Sequence, residues 1–424
     1  MSKIDILLDF ISASVTPYHT VKTVADILED AGFERLPEEH AWSLSDGGLY
    51  YVIRGGSIIA FKHRVNTKAF GIVSAHTDFP AFKVKTGSDR AGDYTRLATE
   101  SYGGAINYTW FDRPLSVAGR VYVKTKAGAE MRLVDLATPL AVIPSVAPHL
   151  SREVNSSFSP NLATDLRPLY ALSASASVIS EVARALEVKE SDILSHDLYL
   201  YNPDHGTVFG GDEALLISPR IDDLASVFTA LVAFLGAEDS ETTPVLALFN
   251  NEEVGSSTRE GAASDLLADT VKRICSSDEV YRLALTSSLM LSSDGAHAMH
   301  PNHPELSDPA CHPVLGGGVV VKYNSNRRYA TEAEALAPLA LVAKKSGVKL
   351  QSYANRADLP GGSTLGSIAS TKLPVLTVDI GIGQLAMHSI AETCAVSDIN
   401  DMIELLTAFY SASIKRSGDG FIVN

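Results

Sequence analysis

Five places in this chain set histidine or carboxylate side chains where a strand should end or a helix begin. His76 and Asp78 follow the apolar run "FGIVSA". Asp222 and Asp223 open a long apolar helix, and Glu252 and Glu253 close "VLALF" as an adjacent pair. Asp294 follows "LMLSS", with His297, His300 and His303 close behind, and His388 comes after "LTVDIGIGQLAM". Each has a plain reading of its own: a loop HxD, acids favoured at a helix N-terminus, a solvated glutamate turn, an exposed histidine loop, a satisfied core histidine. Their coincidence in one predicted sheet is what points to chemistry. Two histidines and three carboxylates without a thiolate suit zinc, or a harder divalent ion such as manganese or cobalt. Five protein ligands are too many for one open catalytic zinc and suit two ions sharing a bridging carboxylate. Of two adjacent glutamates at a turn, one can bind metal while the other faces the attacking water as a general base.

Such a cluster needs elements that bring strand ends together. The first 40 residues read as helical, with a break at "SVTPYHT" and a stop at Gly32. "YYVIRGGSIIAFKH" has the form of a hairpin turning at Gly55-Gly56. Leu224, Val227, Phe228, Leu231 and Leu235 recur at helical spacing until Gly236. Strands and helices then alternate through "PVLALFN", "LALTSSLMLSSD", "GGVVVKYN", a helix over 331–345, "LPVLTVDIG" and a last helix from about Ser397. Thr331 and Glu334 have capping-box spacing, and Pro338 inside that helix weakens its continuity. This alternation predicts an α/β fold, a helix-covered, mixed and largely parallel sheet, whose ligands gather at the carboxyl ends of its strands.

Between about residues 89 and 212 the pattern changes. A Gly-, Thr- and aromatic-rich stretch is followed by the hairpin "GRVYVKTKAGAEMRLVDL" and the helical "SASASVISEVARAL". The sequence therefore reads as a discontinuous catalytic domain, 1–88 and 213–424, with an inserted α+β, β-rich domain over 89–212. Two domains in tandem are the alternative.

The totals set limits. At 424 residues the chain is too long for one ordinary core. A formal charge of −15 argues against nucleic acid, which needs a basic surface, and against anionic membranes. The three cysteines, Cys275, Cys311 and Cys394, are far apart and form no CxxC, which fits a reducing cytoplasm. The N-terminus reads as an amphipathic helix, not a signal peptide, and no apolar stretch reaches the 18 or so residues of a membrane span.

"SAHTDFP", "SPRIDDLAS", "NNEEVGSS", "SSDGAHAMHPN" and "LAMHSIAET" resemble, in order, motifs of the aspartyl aminopeptidase family of dinuclear zinc metallopeptidases. "TWFDRPLSVAGRV" and "VKYNSNRRYAT" also look like segments of that family, so the resemblance runs from "SVTPYH" to the last helix. It implies that Asp222 bridges two metal ions, that His76 and Asp294 complete one, and that Glu253 and His388 complete the other. It implies Glu252 as general base, with Asp78 orienting His76. Asp223 departs from the family pattern, which usually has asparagine there. The implied substrates are peptides with a free N-terminus, with preference for Asp and Glu. Lys322 would supply the cation that an acidic residue needs; read from the residues themselves, Arg356 and the Gly-rich "DLPGGSTLG" lie near a predicted strand end, where main-chain N–H groups could also hold a carboxylate. The resemblance also implies a homo-oligomer, a dodecamer built from dimers through the inserted domain, with His149 reaching into a neighbour's active site. A broad or neutral-preferring aminopeptidase is the alternative within the class, and an oligomeric scaffold or cargo protein the alternative outside it.

Overall fold

A computed structural model describes residues 2–91, 93–172 and 176–424. Its largest sheet has nine strands, in the order 34–35, 49–54, 57–62, 243–249, 70–76, 289–293, 376–381, 319–323 and 350–354. The four central strands run parallel, with antiparallel pairings flanking them. The central strands are apolar almost throughout because both faces are covered. Side chains alternate between two cores, as a period of two requires. Val73, Ala75, Leu246 and Leu248 face one core with helices Lys3–Ala13, Pro17–Asp30, Ile221–Gly236, Ala333–Ser346 and Val396–Ser411. Phe70, Ile72, Val245 and Ala247 face the other, with helices Leu266–Ile274, Asp278–Thr286 and Leu365–Lys372.

The N-terminal helices break as expected: Pro17 occupies the first helical turn behind the cap Thr16, and Gly32 turns the chain at φ +88°. Gly55 and Gly56 link two antiparallel strands. Residues 283–286, read with a strand, instead close helix Asp278–Thr286, and the strand is Leu289–Ser293. The expected Thr331–Glu334 capping box does not form. The helix begins at Ala333, Thr331 Oγ1 accepts the Asp379 N–H at 2.9 Å, and Glu334 pairs with Arg416 at 2.8 Å. A buried strand N–H has no water to turn to, whereas an exposed helix end does. Pro338 forfeits one hydrogen bond, yet the helix runs unbroken to Ser346.

A second sheet is antiparallel and six-stranded, in the order 128–135, 116–125, 193–201, 81–91, 94–102 and 169–171. Its first strand, Ala81–Ala91, runs through the expected seam at 88/89. Val178–Ala185 is helical, while residues 173–175 of that predicted helix lie outside the described residues. A small five-stranded sheet, 207–209, 215–218, 392–395, 383–385 and 296–297, flanks the carboxyl ends of the central strands. No helix among the described residues is long and apolar enough to cross a membrane.

Candidate metal centre

Strand register delivers the predicted side chains to one place. Phe70–His76 and Thr243–Phe249 pair in parallel, with Phe249 opposite His76. The chain therefore leaves the second strand beside the end of the first. Asn251, at φ 65°, turns it into a single helical turn, Glu252–Val254, which Gly255 closes at φ 94°. On the other side Leu289–Ser293 leads to Asp294. Asp222 and Asp223 begin helix Ile221–Gly236 with non-helical dihedrals and a cis peptide between them. His388 follows strand Gly383–Leu385 at φ 68°.

Asp222 stands between the two histidines. Its Oδ1 lies 3.2 Å from His76 Nε2 and its Oδ2 lies 3.8 Å from His388 Nε2. Glu253 Oε1 is 3.4 Å from the same His388 nitrogen. Donor atoms of His76, Asp222, Asp223 and Asp294 lie within 4.8 Å of one another, as do those of His76, Glu252 and Glu253. The far side of each ring decides what faces the carboxylates. His76 Nδ1 is 2.9 Å from the Asp78 carbonyl, and His388 Nδ1 is 3.0 Å from the Gly104 carbonyl. A carbonyl only accepts, so each Nδ1 carries a proton, and each ring in its neutral form turns a bare Nε2 inward. Asp222 Oδ1 and Glu253 Oε1 are buried there without a hydrogen-bond donor. Lone pairs facing lone pairs in a buried site call for a cation, and these residues fit divalent metal ions.

The electrostatics agree. Burial works against a charged His76, but Asp223, Asp222 and Asp78 outweigh it and hold its pKa well above the ordinary value. Burial raises Asp223, Glu253 and Asp294, and neighbouring carboxylates raise them further. Asp222 is lowered because His76, His388 and Lys322 overcome its burial. Burial, with Asp294, Asp78 and Asp222 nearby, pushes Glu252 up to about 8 against the opposing effect of His76. The site demands positive charge, which protons or metal ions can provide.

A cavity of ≈ 320 Å³ opens over the cluster, large enough for a small ligand. Lys322, buried at its wall, donates to the Gly295 carbonyl at 2.8 Å and lies 3.5 Å from Asp294 Oδ1. Gly362, Ser363 and Thr364 of the Gly-rich segment also line the cavity. Arg356 is not among the lining residues. Its guanidinium is taken by Asp358, at 2.6 and 2.9 Å, and by the Glu305 carbonyl, because a carboxylate two residues away is the nearest partner. His149 is exposed and does not line its own chain's cavity. Of the histidine loop, His297 lines the cavity, and His300 and His303 do not.

Asp78 meets the expected ring nitrogen of His76, but through its main chain. Its carboxylate is 3.6 Å from His76 Nδ1, which bonds instead to the Asp78 main chain. The carboxylate accepts the N–H groups of Glu252 and Glu253, at 3.1 and 3.2 Å, and the Tyr102 hydroxyl at 2.7 Å. Three further residues lay beyond the sequence reading. Glu392, almost wholly buried, accepts the N–H of Asp222 at 2.8 Å and of His388 at 2.6 Å. Gln384 donates to Asp222 Oδ2 at 3.3 Å. Tyr102 comes from the other large sheet. Only Glu392 carried a local signal, as an acid four residues past His388 in "MHSIAE".

Residues 10–410 match the family model of the aminopeptidase I zinc metalloproteases (M18). A probable M18 family aminopeptidase 2 from Clostridium acetobutylicum is 39% identical over 423 residues, covering 96% of this chain and 98% of that protein. A chain in the cryo-EM structure of the Ape4 and Nbr1 complex superposes with a TM-score of 0.92 at 33% identity, covering 96% of this chain and 85% of that one. A chain of the S. cerevisiae mApe1 dodecamer superposes with a TM-score of 0.83 at 28% identity, covering 96% and 95%.

Proposed function

The chain belongs to the M18 family of zinc aminopeptidases, and from that premise we propose that it holds two divalent ions, zinc or else manganese or cobalt, and removes N-terminal Asp and Glu residues from peptides. The observation that carries the two-ion reading is Asp222, set between two histidines whose Nδ1 atoms are both committed to carbonyls. Asp222 would bridge, His76 and Asp294 would hold one ion, and Glu253 and His388 the other. When bound, the ions supply Lewis acidity toward water and the scissile carbonyl.

The remaining work falls to side chains. Glu252 takes the proton of the attacking water and returns it to the leaving amine. A raised pKa suits a group that must both accept and give. Asp78 holds the Glu252–Glu253 turn through two main-chain N–H groups. The Lys322 ammonium has three donors. One goes to Gly295 and one faces Asp294, which leaves a third for a substrate carboxylate in the cavity.

We further read the chain as a catalytic unit, 1–88 with 213–424, and an assembly unit, 89–212, that builds a homo-oligomer. Sheet membership supports this division with its seams drawn at Ala81 and Tyr201. Val146, Leu150, Phe158 and Leu162 are exposed there, which favours a covered face in the assembly. His149 lies among them and would enter a neighbour's cavity.

A panel of chromogenic N-terminal amino-acid substrates tests the reading. Asp and Glu substrates should be cleaved faster than neutral ones. A chelator should abolish the activity, and zinc, manganese or cobalt should restore it. Equal rates on neutral substrates would move the specificity to the broad alternative. Full activity in metal-free protein would remove the metallopeptidase reading, and metal binding without any hydrolysis would favour a scaffold.

A further inference from the structure

The segment Tyr102–Ile106, leaving the six-stranded sheet, reaches the metal cluster at three points. Tyr102 ends strand Tyr94–Tyr102, and its ring meets Tyr199 of the same sheet edge to face, with centroids 5.6 Å apart. That packing fixes the hydroxyl, which donates to Asp78 Oδ2 at 2.7 Å and accepts from Asn251 Nδ2 at 2.9 Å. Asp78, wholly buried, passes the contact on: Oδ1 accepts the Glu252 N–H and Oδ2 the Glu253 N–H. Gly103 follows at φ +71°, and a Cβ there would lie 3.1 Å from both Cβ and Oε2 of Glu253. The Gly104 carbonyl then takes His388 Nδ1–H, and the Ile106 N–H returns to the His388 carbonyl at 2.9 Å.

Resting on the metallopeptidase reading above, we propose that Tyr102 is a positioning residue for Glu252 and Glu253, acting through Asp78, and that Tyr102–Ile106 makes the six-stranded sheet part of the active centre. Without the hydroxyl, Asp78 keeps only two main-chain donors. Asn251, whose left-handed turn launches the glutamate pair, loses the acceptor for its amide. The pair would then sample orientations in which Glu252 misses the water and Glu253 misses its ion.

Tyr102→Phe keeps the ring and deletes the hydroxyl. Tyr199→Phe deletes a hydroxyl from the same aromatic pair without a contact to Asp78. Tyr102→Phe should lower kcat about ten- to a hundred-fold with KM unchanged, the range typical when a partner behind a metal ligand is removed. It should also weaken zinc binding to metal-stripped protein, read by competition with a chromogenic chelator. Tyr199→Phe should match wild type in both. Melting temperature and oligomer size are followed alongside. Wild-type kcat and zinc affinity in Tyr102→Phe would overturn the proposal. So would a loss shared by both variants that tracks melting temperature. Zinc binding is read without turnover, so wild-type protein that binds zinc but hydrolyses nothing would sink the aminopeptidase reading alone. The affinity of Tyr102→Phe would still decide the positioning role.

Discussion

Glu252 and Glu253 share a side-chain type and a peptide bond and both have a carboxylate oxygen within 4.8 Å of His76, yet it is Glu253 that also pairs with His388, at 3.4 Å. If the proposed roles hold, Glu252→Gln keeps its metal and loses on the order of 10²–10⁴-fold in kcat, the usual loss of a general base. Glu253→Gln should instead lower metal content, which elemental analysis of the purified variants will read. Lys322→Ala should lower kcat/KM for Asp and Glu substrates about ten- to a hundred-fold relative to neutral ones, since a charged hydrogen bond contributes roughly 1.5–3 kcal/mol. An equal loss on all substrates would separate Lys322 from specificity. Metal loading also has a pH signature. Burial and neighbouring carboxylates hold Asp294 and Glu253 above their ordinary pKa, and carboxylates overcome burial to do the same for His76. These groups keep protons at higher pH than usual, and the protons must leave as metal enters. Zinc affinity should therefore rise with pH, and the calorimetric binding enthalpy should depend on the buffer's ionisation enthalpy. A buffer-independent enthalpy would contradict this.

At the scale of elements, the site depends on how strands end and helices begin. Thr331 was spaced to cap a helix but ties down the strand carrying Asp379. Two substitutions separate these roles. Thr331→Val leaves a buried N–H unpaired and should cost about 1–3 kcal/mol. Glu334→Ala removes only the exposed pair with Arg416, worth roughly 0–1 kcal/mol. Denaturant unfolding of the two variants checks the order, and a larger loss at Glu334 would reinstate the cap. The same strand shows why these ties matter near the centre. Asp379 accepts the Thr364 hydroxyl at 2.5 Å, and Thr364 is part of the cavity wall.

At the scale of the molecule, activity is expected to depend on assembly. His149 sits on an exposed apolar stretch and lines no part of its own cavity. If it serves a neighbour, His149→Ala and Glu252→Gln, each inactive alone, should complement when mixed and reassembled. A mixed dimer then has one site with both its own Glu252 and the partner subunit's contribution at position 149. Random pairing in a two-fold dimer makes about a quarter of all sites complete. Activity assays on mixed oligomers of confirmed composition check this. No recovery from folded, mixed assemblies would return His149 to its own chain or to no role.

Much of this was written locally. Buried parallel strands announce themselves as apolar runs, and the polar residues that end them stand next in the chain. His76, Asp222, Glu252, Glu253, Asp294 and His388 could therefore be collected before any contact was known. The alternating faces of Phe70–His76 and Thr243–Phe249 are likewise a property of period two. What the chain could not reveal locally were pairings between distant segments. Strand Thr243–Phe249 inserts between Ser57–Lys62 and Phe70–His76, a placement no local propensity encodes. Arg356, a substrate-binding candidate in the sequence, has its guanidinium taken by Asp358 and the Glu305 carbonyl. Asp78 is a partner of His76 through its carbonyl, while its carboxylate accepts two main-chain N–H groups 174 and 175 residues away in sequence. Glu392 and Tyr102 matter only through atoms brought to them by folding. The residue types that can do chemistry are set by composition at strand ends. Which atom faces which is set by burial, because each buried donor and acceptor must find its partner wherever the tertiary fold supplies one.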